Sequence, residues 1–284
     1  MTGHATPGRA PARRPDDVPV CERRRRARQH GRMQRTELTG LDGVRAVSLD
    51  VGGVLVVPNQ DWLAEGLAAA GVTFDRARFT EGHYRAMAEV DRCLSTPEEF
   101  TDYRRGFLQA VGTPADQVDR GAAALSRVLT SAAWHQPIPG AGDAARRLAG
   151  AGFRLAVTSN ADGTVEALLR THGLAQVGAG AGVVVEVVTD SGVLGVAKPD
   201  PAMFLATAEG LGLAPEHVLH VGDGGYYDAE GARAVGMVGV HVDPLGVCPD
   251  DRHGHVASLS DLAGHLVAQG PAGAGRARSA PARD

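Results

Sequence analysis

The sequence predicts an α/β fold, a doubly wound parallel sheet interrupted by an inserted α-helical cap domain, on three observations. Short runs rich in β-branched residues at Val44–Asp50, Phe153–Val157, Val183–Val188, Val218–Val221 and Met237–Val242 have the length and composition of strands. Helical stretches separate the later runs, which requires right-handed crossovers and a sheet covered on both faces. Between the first run and the second, from Asp61 to Thr130, the pattern is helical and holds no convincing strand.

Residues 1–40 mix Pro, Gly, Arg and Thr without periodicity. They cannot bury enough apolar surface to offset the entropy of ordering, so a disordered basic extension is expected. The first strand stops at Asp50, and Gly52-Gly53 reads as a tight turn, without the further glycines of a dinucleotide-binding loop. Asp61 is expected to cap a helix running to Ala70, with Gly71 as its stop. Thr96-Pro97-Glu98-Glu99 combines a capping hydroxyl, a proline at the first helical position and a glutamate three residues after the cap. Thr113-Pro114 opens another helix. Residues 58–134 therefore read as a helical cap, and 41–57 with 135–269 as the core. In the core, helices over Asp143–Ala149, Val165–Thr171, Ala202–Leu211 and Asp228–Val235 alternate with the strands. A second disordered tail is expected over 270–284.

Composition narrows the function. The formal charge of −4 hides +7 over residues 1–35 and +2 over 271–284, leaving −13 for the body. A uniformly basic nucleic-acid-binding domain is excluded for that body, and no nucleic-acid partner is expected. No apolar run approaches the ~18–20 residues of a membrane span. The polar residues after Arg23–Arg26 do not form the apolar stretch of a signal peptide. Cys21, Cys93 and Cys248 are scattered, so neither a disulfide framework nor a thiolate metal site is expected, and the chain reads as cytoplasmic. Among 29 basic residues only Lys198 is a lysine. A lone lysine against such a bias needs a chemical reason.

Ligands of doubly wound sheets bind beyond the carboxyl ends of the strands. There the sequence places Asp50, Ser159 with Asn160, Lys198 before Pro199, and Gly222-Asp223 with Asp228. Singly, each has a plain explanation as a cap or a surface charge. Together they put three carboxylates, a hydroxyl and an ammonium on one edge. A carboxylate nucleophile needs no deprotonation at neutral pH, but it must approach an anionic phosphoryl group, and cations must cancel the repulsion. A hard Mg²⁺ on Asp50, Asp223, Asp228 and the Gly52 carbonyl would do so, helped by the compact ammonium of Lys198.

Asp50-Val-Gly-Gly-Val-Leu55, Val157-Thr-Ser-Asn160, Lys198-Pro-Asp-Pro201 and Gly222-Asp223 followed by Asp228 resemble, in order, the four motifs of the haloacid dehalogenase (HAD) superfamily. The resemblance covers roughly Val44 to Asp243. It implies a hydrolase with a helical cap between its first and second motifs, acting on a small phosphorylated metabolite with Mg²⁺ as cofactor, as a monomer or homodimer. It implies that Asp50 forms an aspartyl-phosphate, that Ser159 and Lys198 assist, and that Gly53, Ser159, Asn160 and Lys198 hold the phosphate.

One position departs from the pattern. Phosphatases of this family carry a second aspartate two residues after the nucleophile, as general acid and base; here it is Gly52. Losing such a group costs ~10²–10⁴-fold in rate. Three readings follow. The substrate has a good leaving group, or the cap or a bound water supplies the proton, with His83, Asp91 and His135 as candidates; or the enzyme expels halide, which needs no acid, although the Asp223/Asp228 pair argues against it; or the site is weakened and kept for binding phospholigands. A phosphonate hydrolase, which needs a cap lysine, is excluded. Tyr226-Tyr227 is expected at the entrance between core and cap. His253-Gly254-His255 reads as loop without a metal.

Overall fold

The computed structural model describes residues 38–93 and 100–273. The expected helix start at Thr96, most of the basic extension and most of the C-terminal tail lie outside the described residues. Strand β1 (Ala46–Leu49) runs directly into Asp50, and the turn after it leads to β2 (Val56–Val57). Four helices follow: α1 (Gln60–Ala69), α2 (Phe79–Cys93), α3 (Thr101–Ala110) and α4 (Val118–Val128). The chain returns through β3 (Gln136–Pro137), which pairs antiparallel with β2 and so fastens the two ends of the helical lobe together.

From there helix and strand alternate: α5 (Ala141–Gly150), β4 (Arg154–Ser159), α6 (Val165–Thr171), the small pair β5 (Ala175–Val177) and β6 (Val183–Val185), then β7 (Val187–Asp190). A single turn, α7 (Ser191–Leu194), precedes α8 (Pro201–Gly210) and β8 (Val218–Gly222). A π-helical turn (Gly225–Glu230) runs into α9 (Gly231–Ala234), and β9 (Val238–Val242), β10 (Gly254–Val256) and α10 (Leu259–Gln269) complete the core.

Six strands form one parallel sheet in the order β10-β9-β8-β1-β4-β7. Strand β1 is central, with β4 on one side and β8 on the other, so the order reverses at β1 and opens a crevice at its carboxyl end. Alternate residues of β1 face opposite layers. Val47 and Leu49 join the apolar core against α5 and α10, and Ala46 joins the one built from Met203, Phe204 and Ala208 of α8. The helical lobe packs on its own core of Leu63, Leu67, Phe79, Tyr103, Phe107 and Leu125.

Differences from the sequence reading have local causes. The run Val183–Val188 divides at Glu186 into β6 and β7, which lie in different sheets; the Glu186 N–H donates to Leu155 O and its carboxylate takes Arg154. The cap of α1 is Asn59, whose side chain accepts the Trp62 N–H, and not Asp61. His253-Gly254-His255 is no loop: Gly254 and His255 belong to the edge strand β10. In the neighbouring strand, Gly239 permits the π-helical turn to lie on the sheet, since a Cβ there would sit 2.1 Å from Ala229 O. Gly239→Ala is expected to lower stability by about 1–3 kcal/mol through overpacking, measured by urea unfolding; a wild-type transition would refute the close approach.

Candidate active site

The ends of β1 and β4 and the turn after β8 converge on Lys198. Its ammonium is 3 % exposed. It donates to Asp228 Oδ1 at 2.6 Å and to Thr158 O at 3.1 Å, and it lies 2.9 Å from Asp50 Oδ1. All three of its protons have partners. The loop that delivers it is clasped by Asn160, whose Oδ1 accepts the Lys198 N–H at 2.7 Å and whose Nδ2 donates to Lys198 O at 3.1 Å. Asp190, at the end of β7, accepts the N–H groups of Gly163, Val165 and Gly192 and holds the loops on either side.

Three buried carboxylates surround this single ammonium. Oxygen atoms of Asp50, Asp223 and Asp228 lie within 4.8 Å of one another. Burial pushes the Asp50 carboxyl up to about 7 against the pull of the Lys198 ammonium, and the charges of Asp228 and Asp223 add to the rise. Burial also raises Asp223, opposed by His83. For Asp228 burial is outweighed by Lys198 and His220, which hold it below the ordinary carboxylate range. The His220 Nε2 lies 3.0 Å from Asp228 Oδ1 and its Nδ1 3.0 Å from Ser48 Oγ. With all three ionised, the cluster exceeds its ammonium by two negative charges. An all-oxygen donor set with that excess fits a hard divalent cation such as Mg²⁺.

Over residues 44–236 the sequence matches the family model of the haloacid dehalogenase-like hydrolases. The chain belongs to this hydrolase family. It is 41% identical to a phosphoserine phosphatase of Thermus thermophilus over 75 residues, 26% of this chain and 30% of that protein. It is 40% identical to phosphatase MT3486 of Mycobacterium tuberculosis over 87 residues, 31% and 38% of the two chains. The matches thus span about a third of the length of these curated relatives. A crystal structure of a dehalogenase with an intermediate complex superposes with a TM-score of 0.53 at 20% identity, over 80% of this chain and 98% of that one, a likeness of fold.

A pocket of about 550 Å³ lies between the HAD core and the helical lobe, lined by Asp50, Ser159, Lys198 and Asp228 from below and by His83 and Arg104 from above. Asn160 also reaches its wall, with Oδ1 and one of the two Nδ2 protons engaged with the Lys198 backbone, so it positions the lysine and keeps a second amide proton. Gly53 is not brought to the pocket. Its N–H donates to Val56 O at 2.8 Å, and its carbonyl accepts the Tyr84 hydroxyl at 2.9 Å. Its φ of 63° and a notional Cβ 2.1 Å from Asp223 Oδ2 give this glycine a steric role instead.

Gly52 does face the pocket, beneath the Trp134 ring, 3.0 Å from where a Cβ would stand. A longer side chain there would meet that indole. Of the three candidate proton carriers only His83 reaches the carboxylates, with Nε2 2.8 Å from Asp223 Oδ2 and Nδ1 2.8 Å from the Tyr103 hydroxyl. Asp91 accepts the N–H groups of Gly225 and Tyr226, joining α2 to the turn before Asp228. His135 lies away from the pocket, bonded to Asn59 and Ala132 O. Of the tyrosine pair, Tyr227 lines the pocket and Tyr226 is 40% exposed outside it. The sequence reading missed His220, whose only signal is an imidazole inside an apolar strand, and Trp134.

The raised Asp50 carboxyl makes a pH prediction. An unfolded chain ionises it near 3.8 and the folded one at about 7. Between those values the unfolded state has already lost a proton that the folded state keeps. The stability this group contributes is therefore complete below the lower value and lost as pH rises through the upper one. With divalent ions chelated, Asp50→Asn should gain stability relative to wild type as pH is raised from about 4 to about 8. Urea unfolding of both proteins measures this; a pH-independent difference would contradict it.

Proposed function

We propose that the protein is a Mg²⁺-dependent phosphatase acting on a small phosphorylated metabolite through an aspartyl-phosphate on Asp50. The observation that carries this reading is the cluster of three buried carboxylates around one lysine, an arrangement suited to a carboxylate nucleophile and a dianionic reacting group. Asp50, Asp223 and Asp228 would hold the Mg²⁺ with the Gly52 backbone, and the bound ion offsets the charge repulsion between carboxylates and phosphoryl group.

Asp50 attacks phosphorus, and the bond to the leaving oxygen breaks. Lys198 keeps Asp50 oriented and offsets negative charge on the transferring group, and Ser159 at the end of β4 donates a hydrogen bond to it. The leaving oxygen takes a proton from His83, which then accepts one from the water that hydrolyses the acyl phosphate. This assignment places on the helical lobe the role that Gly52 cannot fill. Arg104, above the pocket, fits an anionic substrate.

Hydrolysis of p-nitrophenyl phosphate with and without Mg²⁺ tests the reading. Mg²⁺-dependent turnover that disappears in Asp50→Asn is expected. Failure with phosphate esters together with halide release from a 2-haloacid would replace it by the dehalogenase reading, and failure of both by phospholigand binding. The proton assignment has its own test. His83→Gln should lower kcat/KM, which reports the step that expels the leaving group, ~10²–10⁴-fold for alkyl phosphates and far less for p-nitrophenyl phosphate, whose leaving group needs little protonation. Equal losses on both substrates would remove His83 as the acid.

A further inference from the structure

A second cluster of ligating side chains lies under the loop that carries Asp223, on the far side from the carboxylates. In-register pairing of β9 with β10 sets His241 beside His255, with ring centroids 5.3 Å apart. The connecting segment folds back and brings Cys248 and His253 to them. The His253 ring stands 4.6 Å from that of His255 and 5.4 Å from that of His241. One ligand atom from each of the four side chains falls within 4.8 Å of the others. All four residues are buried.

The surroundings fix which atoms face inward. His241 Nε2 is 3.0 Å from Asp223 O, a carbonyl that can only accept, so Nε2 carries the proton and Nδ1 presents its lone pair. That Nδ1 is buried and has no hydrogen-bond partner, and the residue is 6% exposed. His253 Nδ1 is 3.2 Å from Glu230 Oε1, so its proton points to the carboxylate and Nε2 is turned toward Cys248 Sγ, 3.7 Å away. Asp243 accepts the Val247 and Cys248 N–H groups at 3.0 and 2.9 Å and anchors the cysteine. Metal-bound histidines commonly pass their second N–H to a carboxylate or a backbone carbonyl in this way.

We propose that His241, Cys248, His253 and His255 form a structural zinc site that braces the loop bearing Asp223. Tetrahedral zinc with Zn–N of about 2.0–2.1 Å and Zn–S of about 2.3 Å separates two nitrogens by roughly 3.3–3.4 Å and a nitrogen from the sulfur by roughly 3.5–3.6 Å. The Cys248–His253 distance of 3.7 Å is already close to the nitrogen–sulfur value. One soft thiolate and three imidazoles select zinc over Mg²⁺ or Ca²⁺, which take oxygen donors. Binding exchanges the thiol proton for the metal: the S–H bond breaks, an S–Zn bond forms and the proton leaves to solvent. Burial holds the free thiol up to about 12, so without a cation Cys248 stays protonated. The nearby set of Glu230, Asp250 and His253 competes poorly, because Arg252 already pairs with both carboxylates.

The test is independent of catalysis. Full-length wild type, Asp50→Asn and Cys248→Ser are purified without added metal, assayed for zinc by mass spectrometry, stripped and titrated with Co²⁺. Near-stoichiometric zinc is expected in wild type and Asp50→Asn and none in Cys248→Ser. Co²⁺ should give strong tetrahedral d–d bands and a thiolate-to-metal charge-transfer band, the latter absent from Cys248→Ser. Zinc should raise the melting temperature of stripped wild type. Should Cys248→Ser fail to fold, the wild-type cobalt spectrum decides by itself. Absence of both zinc and a thiolate–cobalt band from wild type, or persistence of that band in Cys248→Ser, would overturn the proposal.

Discussion

The ion cluster built on Lys198 is the constraint that the site's other features serve. An ammonium removed from water is tolerated only when its charge and all its protons are met. Here Asp50, Asp228 and the Thr158 carbonyl meet them, drawn from the ends of β1 and β4 and the turn after β8. Removing one partner of such a buried pair costs about 3–5 kcal/mol, because the other charge is stranded. The geometry therefore ties the ends of β1, β4 and β8 to the loop before α8. It also accounts for the one lysine in an arginine-rich chain, since a planar guanidinium cannot direct three protons from a single nitrogen to these acceptors.

Electrostatics and sterics at the mouth of the site pull in the same direction. Three carboxylates against one ammonium favour cations and proton donors, and the helical lobe turns such groups toward them: His83 rests on Asp223, and Arg104 lines the opposite wall. Gly52 is then less a loss than one side of a contact. The Trp134 ring lies over it, so the volume an acidic side chain would need at this position is filled from the lobe's return segment. Helix α2 binds the lobe to the core with residues of one side, through His83 to Asp223, Tyr84 to Gly53 and Asp91 to the turn before Asp228. Lobe and core thus share the polar groups of the pocket.

Sequence patterns disclosed the core better than the contacts across it. Asp50, Ser159, Lys198, Asp223 and Asp228 stand at strand ends, where alternation of helix and strand already directs attention, and the structure gathers all of them around one pocket. His83 lies on the buried face of α2 with Phe79, Gly82, Ala86 and Val90, so its spacing is that of a core residue and carries no mark of the carboxylate it meets. Gly53 misled for the opposite reason. A glycine after the nucleophile suggests a free amide, whereas its N–H closes the turn onto Val56. His253 and His255 looked like loop residues because their partners are remote in sequence: the pairing of β9 with β10 brings up His241, and the fold-back after Asp243 brings up Cys248.

Asp223 joins the two clusters and keeps them chemically distinct. Its carboxylate faces Asp50 and Asp228, while its backbone carbonyl accepts the N–H of His241 on the other side of the loop. One cluster offers only carboxylate oxygens, and the other only imidazole nitrogens and a thiol, so each discriminates by donor hardness against the cation suited to its neighbour. Because the link runs through a main-chain carbonyl, the second cluster can fix the height of the loop without adding charge to the first.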